Sequence, residues 1–175
     1  MRNVFFWILL LISLTCFTWA GFLLWQRYAP ITASAAPGEV WTSAPASSPQ
    51  TFIIHELNLT LPIYPAKIRN NRWDYTSKGV SYLTTSVLPG QQGNSVIYGH
   101  NWPNIFKNLQ DAKEGQLVTI IYADGHSEVF SITDISIVKP SQIDIIQATQ
   151  DTRLTIFTCT GFLDSLRLVI VAKPF

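Results

Sequence analysis

The uncharged run from Val4 to Trp25, rich in Phe, Trp, Ile and Leu, divides this chain into parts built for different solvents. A helix over it rises about 1.5 Å per residue to about 33 Å, and a bilayer core is roughly 30 Å thick. Residues 4–25 are therefore expected to form a transmembrane helix, with residues 1–27 as a membrane anchor. Arg2 precedes the run and Arg27 follows it, so charge favours a cytoplasmic N-terminus only slightly. Ala33-Ser34-Ala35 has the small residues of a signal-peptide cleavage site, but the apolar core of such a peptide is about 7 to 15 residues and this run is longer. The balance favours an uncleaved anchor, and on either reading the rest of the chain is exported.

Residues 28–51 are dominated by Pro, Ser, Ala, Thr and Gly, with one acid, Glu39. Such a segment buries too little apolar surface to offset its ordering entropy, and it reads as a flexible tether reaching roughly 25 to 30 Å. Residues 52–175 are then the folded domain, of ordinary size for one core. The chain has 12 Lys and Arg and 11 Asp and Glu; setting aside Arg2, Arg27 and Glu39, all before residue 52, leaves ten of each in the domain. That balance gives no basic surface for nucleic acid.

Within the domain, short β-branched and aromatic stretches alternate with Gly, Pro and Asn, which predicts a mainly β fold, sandwich or barrel, of seven or eight strands. The candidates are 52–58, 61–64, 95–99, 117–122, 128–138, 154–159 and 166–172. Asp124-Gly125 between two of them is the strongest hairpin signal, and His126 beside it reads as a solvated loop residue. His55 is expected to point outward from the first strand. Two short helices are expected, one from Trp102 to Leu109 and one starting at Ser141, capped through Asp144.

Of the two cysteines, Cys16 lies in the apolar run, so the exported domain has a single thiol, Cys159, and no disulfide framework. If Cys159 ends its strand and pairs with Arg167 across a hairpin, then Phe157, Cys159, Arg167, Val169 and Val171 share one face. Leu154, Ile156, Leu168 and Ile170 share the other. The aliphatic face reads as core and the face with thiol and guanidinium as a groove floor. Arg keeps its proton throughout a reaction, so it can hold a carbonyl or oxyanion and favour the thiolate. His100 supplies a base. With ordinary pKa values near 8.5 and 6.5, thiolate and imidazolium coexist in under about 1% of molecules at pH 7; the residues leave open whether the site shifts these values or uses a small competent fraction. Taken singly, Cys159 reads as a small buried hydrophobe, His100 as a loop residue and Arg167 as a surface cation; together in an exported domain they point to a catalytic set. No metal-ligand spacing and no acidic calcium loop are present, so no metal and no cofactor are expected.

Thr155-Ile156-Phe157-Thr158-Cys159 resembles the Thr-Leu-x-Thr-Cys strand of the sortases, cysteine transpeptidases of bacterial cell surfaces, with Ile in place of Leu. Asn94-Ser-Val-Ile-Tyr-Gly-His100 resembles the segment carrying their His, and Arg167 falls where their strand-borne Arg is expected. Leu88 to Asn94, Phe106 with Leu109, and Lys113-Glu-Gly-Gln116 resemble further family segments in the same order, Gln116 departing from the usual Asp. The resemblance implies a closed eight-stranded β-barrel with one or two short helices, Cys159 as nucleophile, His100 as acid/base and Arg167 holding substrate or oxyanion. It implies cleavage of a C-terminal sorting signal through a thioester, and transfer to an amine. The implied partners are surface proteins or pilins as donors and a cell-wall precursor or pilin lysine as acceptor. It also implies a single-pass cell-membrane protein with its catalytic domain extracytoplasmic. Asn101-Trp102 after His100 are unusual neighbours for the family. The competing readings are a cysteine peptidase that hydrolyses with water and a non-catalytic membrane-anchored β-domain with Cys159 as packing.

Overall fold

The computed structural model describes residues 2–28, 48–69 and 72–175, as two compact units. In the first, helix α1 spans Arg2–Tyr28. Its Phe6–Trp25 stretch has a mean hydropathy of 2.1, long and apolar enough to cross a membrane. The hydroxyls of Thr15 and Thr18 donate to the carbonyls of Ile12 and Thr15 at 2.8 and 2.9 Å, so these polar side chains are satisfied within the helix, as an apolar solvent requires.

The second unit is a closed eight-stranded barrel. Its strands are β1 (Pro49–Ile54), β2 (Leu59–Ala66), β5 (Val80–Leu83), β6 (Gly93–Gly99), β7 (Leu117–Tyr122), β8 (Ser127–Val138), β9 (Thr152–Thr160) and β10 (Leu166–Pro174). They close in the order β1-β2-β5-β6-β9-β10-β8-β7. A two-stranded ribbon, β3 (Ile68–Arg69) with β4 (Arg72–Trp73), lies outside this ring of pairings. The mainly β barrel expected from the sequence is the fold observed.

Several boundaries differ from the sequence reading. Residues 29–47, most of the expected tether, lie outside the described residues. Pro49 to Thr51, assigned to the tether by composition, belong instead to β1, paired to Tyr122 and Ile121 of β7, and Ser48 before them is buried. Proline is tolerated at that first strand position, where its missing N–H breaks no ladder. β1 stops at Ile54, and His55 sits exposed in a 3-10 turn, His55–Leu57, closed by Asn58 at φ 52°. The helix expected at 102–109 is a turn followed by a 3-10 segment, Lys107–Asp111. Near residue 141, the backbone N–H of Lys139 is capped by Gln142 Oε1 at 3.2 Å, and the expected Ser141–Asp144 cap gives way to a short turn at Asp144–Ile146.

Inside the barrel, Phe52, Ile120, Phe130, Leu154, Ile156 and Ile170 are fully buried, with Ile105, Phe106 and Leu109 packed into the same cluster. The aliphatic face predicted for β9 and β10 is in this core. Gly99 permits the approach of the 102–111 segment, since a Cβ there would lie 3.0 Å from both Ile105 and Phe106 side chains. A second cluster, Ala66, Leu83, Val96 and Tyr98 with Trp73, Ile146 and Phe157, covers the opposite face of the wall. β6 is thus buried on both faces, as its parallel pairing with β9 leads one to expect.

Candidate active site

β6 and β9 run parallel with Gly99 opposite Thr158, which brings the next residues, His100 and Cys159, out at the same end of the wall. The buried Thr158 hydroxyl donates to the Gly99 carbonyl at 2.8 Å, clamping the residue before the His to the residue before the Cys. Lower on the same pair, Thr155 Oγ1 donates to Asn94 Oδ1 at 2.7 Å. Asn94 Nδ2 in turn donates to the carbonyls of Ile145 at 2.9 Å and Gln147 at 3.0 Å. The two threonines of the Thr-x-x-Thr-Cys strand therefore fix its register against β6, and Asn94 ties the β8–β9 connection to that wall.

β10 returns antiparallel to β9 with Arg167 directly opposite Cys159 and Leu166 opposite Thr160, the register the sequence predicted. Opposed Cβ atoms in such a pair lie about 5 Å apart. Arg167 Nη1 donates to the carbonyls of Asp164 at 2.9 Å and Leu166 at 2.8 Å, which holds the guanidinium over the hairpin end. The His100 ring stacks on Trp102 at 4.3 Å and 9° and meets the Tyr75 ring edge-on at 4.7 Å. Two aromatic contacts at right angles orient the imidazole. Trp102, an unusual neighbour by sequence, is one of them.

His100, Cys159 and Arg167 line one cavity of about 400 Å³. Its floor is aromatic: Tyr98 and Phe157 stack at 5.4 Å, and Trp73 packs edge-on against both. Ile143 and Ile146 from the segment tied by Asn94 form another wall. Burial raises the Cys159 pKa, opposed by the nearby Arg167 charge and reinforced by Asp164. The balance favours the neutral thiol over the thiolate. His126 lies elsewhere, in the exposed β7–β8 turn, paired with Asp124 and stacked on Tyr122.

Sequence reasoning missed Asn94, Tyr75, Trp73 and Asp164 as parts of this site. Only Asn94 carried a signal, as an amide ahead of the Val96-Ile97-Tyr98 run. The departure at Gln116 has a local explanation: its Oε1 accepts the Lys113 N–H at 2.9 Å and closes the turn, a task open to any short acceptor-bearing side chain.

Residues 53–175 match the Sortase domain family. The chain belongs to the sortase family. Among solved structures it is similar to sortase A from Corynebacterium diphtheriae, with 26% identity and a TM-score of 0.64, covering 77% of this chain and 63% of that one. It is similar in fold to sortase C from Clostridium perfringens SM101, with 23% identity and a TM-score of 0.61 over 75% of this chain and 72% of that one. The same holds for sortase C-1 from Actinomyces oris, at 24% and 0.60 over 73% and 75%. No curated protein matches the chain. Family membership places Thr155 to Cys159 and the His100 segment of this sortase within the matched domain.

Proposed function

We propose that this sortase is a membrane-anchored cysteine transpeptidase, with α1 in the cell membrane and the barrel outside it. It cleaves a C-terminal sorting signal on surface proteins or pilins and passes the new carboxyl end to an amine. Cys159 is the nucleophile, His100 the acid/base and Arg167 the donor to the substrate carbonyl or oxyanion. The observation that carries this reading is the cross-strand pair of Cys159 and Arg167 in one cavity with His100.

The burial that disfavours the Cys159 thiolate fits a site in which the proton leaves only as sulfur attacks. Cys159 Sγ bonds to the carbonyl carbon of the scissile peptide and its proton passes to His100, while Arg167 donates to the oxygen that gains charge. His100 then protonates the departing amine, leaving a thioester. An acceptor amine displaces the sulfur.

The test is incubation of the full-length protein in detergent with a panel of Leu-Pro-x-Thr-Gly-like peptides and an amine acceptor. An amide product formed by wild type and lost in Cys159→Ala is expected. A hydrolysis product alone, whatever the amine concentration, would instead indicate a peptidase.

A further inference from the structure

We infer that a second cavity, behind Tyr75, is the entry site of the acceptor and binds a primary amine as its ammonium form. This rests on the transpeptidase reading above. The cavity is also about 400 Å³ and is bounded by Tyr64, Ala66, Asp74, Tyr75, Thr76 and Ser81. It is distinct from the thiol cavity but shares a wall with it, because Tyr75 lines both. The two also stand side by side on one face of a strand pair: Ser81 of β5 lines the second, and Tyr98, its cross-strand partner on β6, lines the first.

The contact with His100 places this side within reach of the chemistry. An acceptor must reach the thioester carbonyl and give a proton to His100, and the ring packed edge-on against His100 is that of Tyr75. Before reacting, a primary amine is a cation at neutral pH, and Asp74 is the carboxylate among the residues that line the second cavity. Its backbone is fixed on both sides. Asp74 N–H donates to Lys67 O at 2.9 Å, and the Tyr98 hydroxyl donates to the Asp74 carbonyl, so the residue's backbone is tied to the floor of the thiol cavity. Arg69 pairs with Asp74 at 3.4 Å, but the two side chains are 72% and 48% exposed and such a pair is weak enough for an incoming ammonium to replace. Asp164, the carboxylate of the thiol cavity, lies instead beside Arg167, where a second cation is disfavoured.

The step balances as follows. The held ammonium loses one proton to solvent, and its nitrogen attacks the thioester carbon. The C–N bond forms, the C–S bond breaks with its electron pair going to Cys159 Sγ, and the remaining surplus proton passes from nitrogen to His100. Return of that proton to sulfur restores the thiol and neutral imidazole.

The experiment measures the ratio of amide to hydrolysed product at sub-saturating acceptor, using the full-length protein in detergent. Triglycine and Nα-acetyl-lysine amide serve as separate acceptors, to distinguish a peptide amine from a lysine side chain. Because the ratio is internal to each sample, it is insensitive to the folded fraction. Asp74→Asn is expected to shift it about tenfold toward hydrolysis, the scale of one lost charge-assisted contact. Arg69→Gln is expected to shift it the other way, toward amide, by about twofold. An unchanged ratio in Asp74→Asn, or shifts of the same sign in both variants, would overturn the assignment. Absence of any Cys159-dependent product would overturn the transpeptidase reading itself, and the acceptor site with it.

Discussion

The β7–β8 and β9–β10 hairpins are built from the same antiparallel ladder and end in opposite ways. The first closes through Asp124-Gly125, with Gly125 at φ 89° and exposed polar side chains, and its His126 is paired within the turn. The second also turns at a glycine, Gly161 at φ 78°, but then places Leu163 at φ 51° and Asp164 at φ 60°. Phe162 and Leu163 are 84% and 85% exposed. A left-handed Leu costs roughly 1 to 2 kcal/mol, and exposing two large apolar side chains gains nothing in a folded monomer. The hairpin that is locally unfavourable is the one that carries Cys159, Asp164 and Arg167. Local consistency marks the ordinary turn, and local conflict marks the site.

The largest contrast is chemical. Cys159→Ala should abolish product, and Arg167→Ala should slow its formation by about 100-fold or more, the usual loss for an oxyanion donor. His126→Ala in the other hairpin should leave the rate within about twofold. A comparable loss from the His126 change would break the distinction.

Next in size is the network beneath the site. Asn94→Ala leaves the Ile145 and Gln147 carbonyls and the Thr155 hydroxyl without their shared partner, at about 1 to 3 kcal/mol. Gln116→Ala, which removes an exposed turn bond, should cost under about 0.5 kcal/mol. Urea midpoints compare the two at constant slope.

A smaller effect sharpens the electrostatics. The Asp164 carboxylate disfavours the thiolate, so Asp164→Asn should lower the Cys159 pKa and speed alkylation at neutral pH, while Arg167→Ala should raise it and slow alkylation. Rates of iodoacetamide reaction against pH measure the sign of both. Asp124→Asn in the other turn should move neither.

The smallest effect is conformational. Leu163→Gly should stabilise the fold by about 0.5 to 1 kcal/mol, and Gly125→Ala should destabilise it by about 1 kcal/mol, each read from the thermal midpoint. Opposite signs are expected because both positions have positive φ, which glycine adopts freely and leucine does not, so Gly125 suits its place and Leu163 does not.

Much of the barrel was legible in the sequence, for reasons visible in particular strands. β9 and β10 are long strands joined by a short loop, so the pairing of Cys159 with Arg167 followed from counting, although each has three consecutive buried residues. β5 was missed because all four of its residues, Val80 to Leu83, are buried, leaving no alternation to read. The signal for its position lay in Gly79, where a Cβ would fall 2.2 Å from the Pro62 carbonyl, a close approach that only the paired strand reveals. The ribbon of β3 and β4 is two residues per strand, too short for any period. Within the candidate site, the meeting of Cys159, His100 and Arg167 in one cavity was legible because each is scarce or stands in a motif. Tyr75 and Trp73 were not, since they reach the cavity from a connection whose path depends on contacts distant in sequence.

The most direct test of the catalytic reading is to trap the acyl-enzyme. Full-length protein is mixed with a sorting-signal peptide without amine, quenched in acid, digested and mapped by mass. The expected result is a peptidyl adduct on the fragment containing Cys159, released by hydroxylamine as a thioester must be. No adduct with any peptide of the panel, or an adduct confined to Cys16, would contradict Cys159 as the nucleophile.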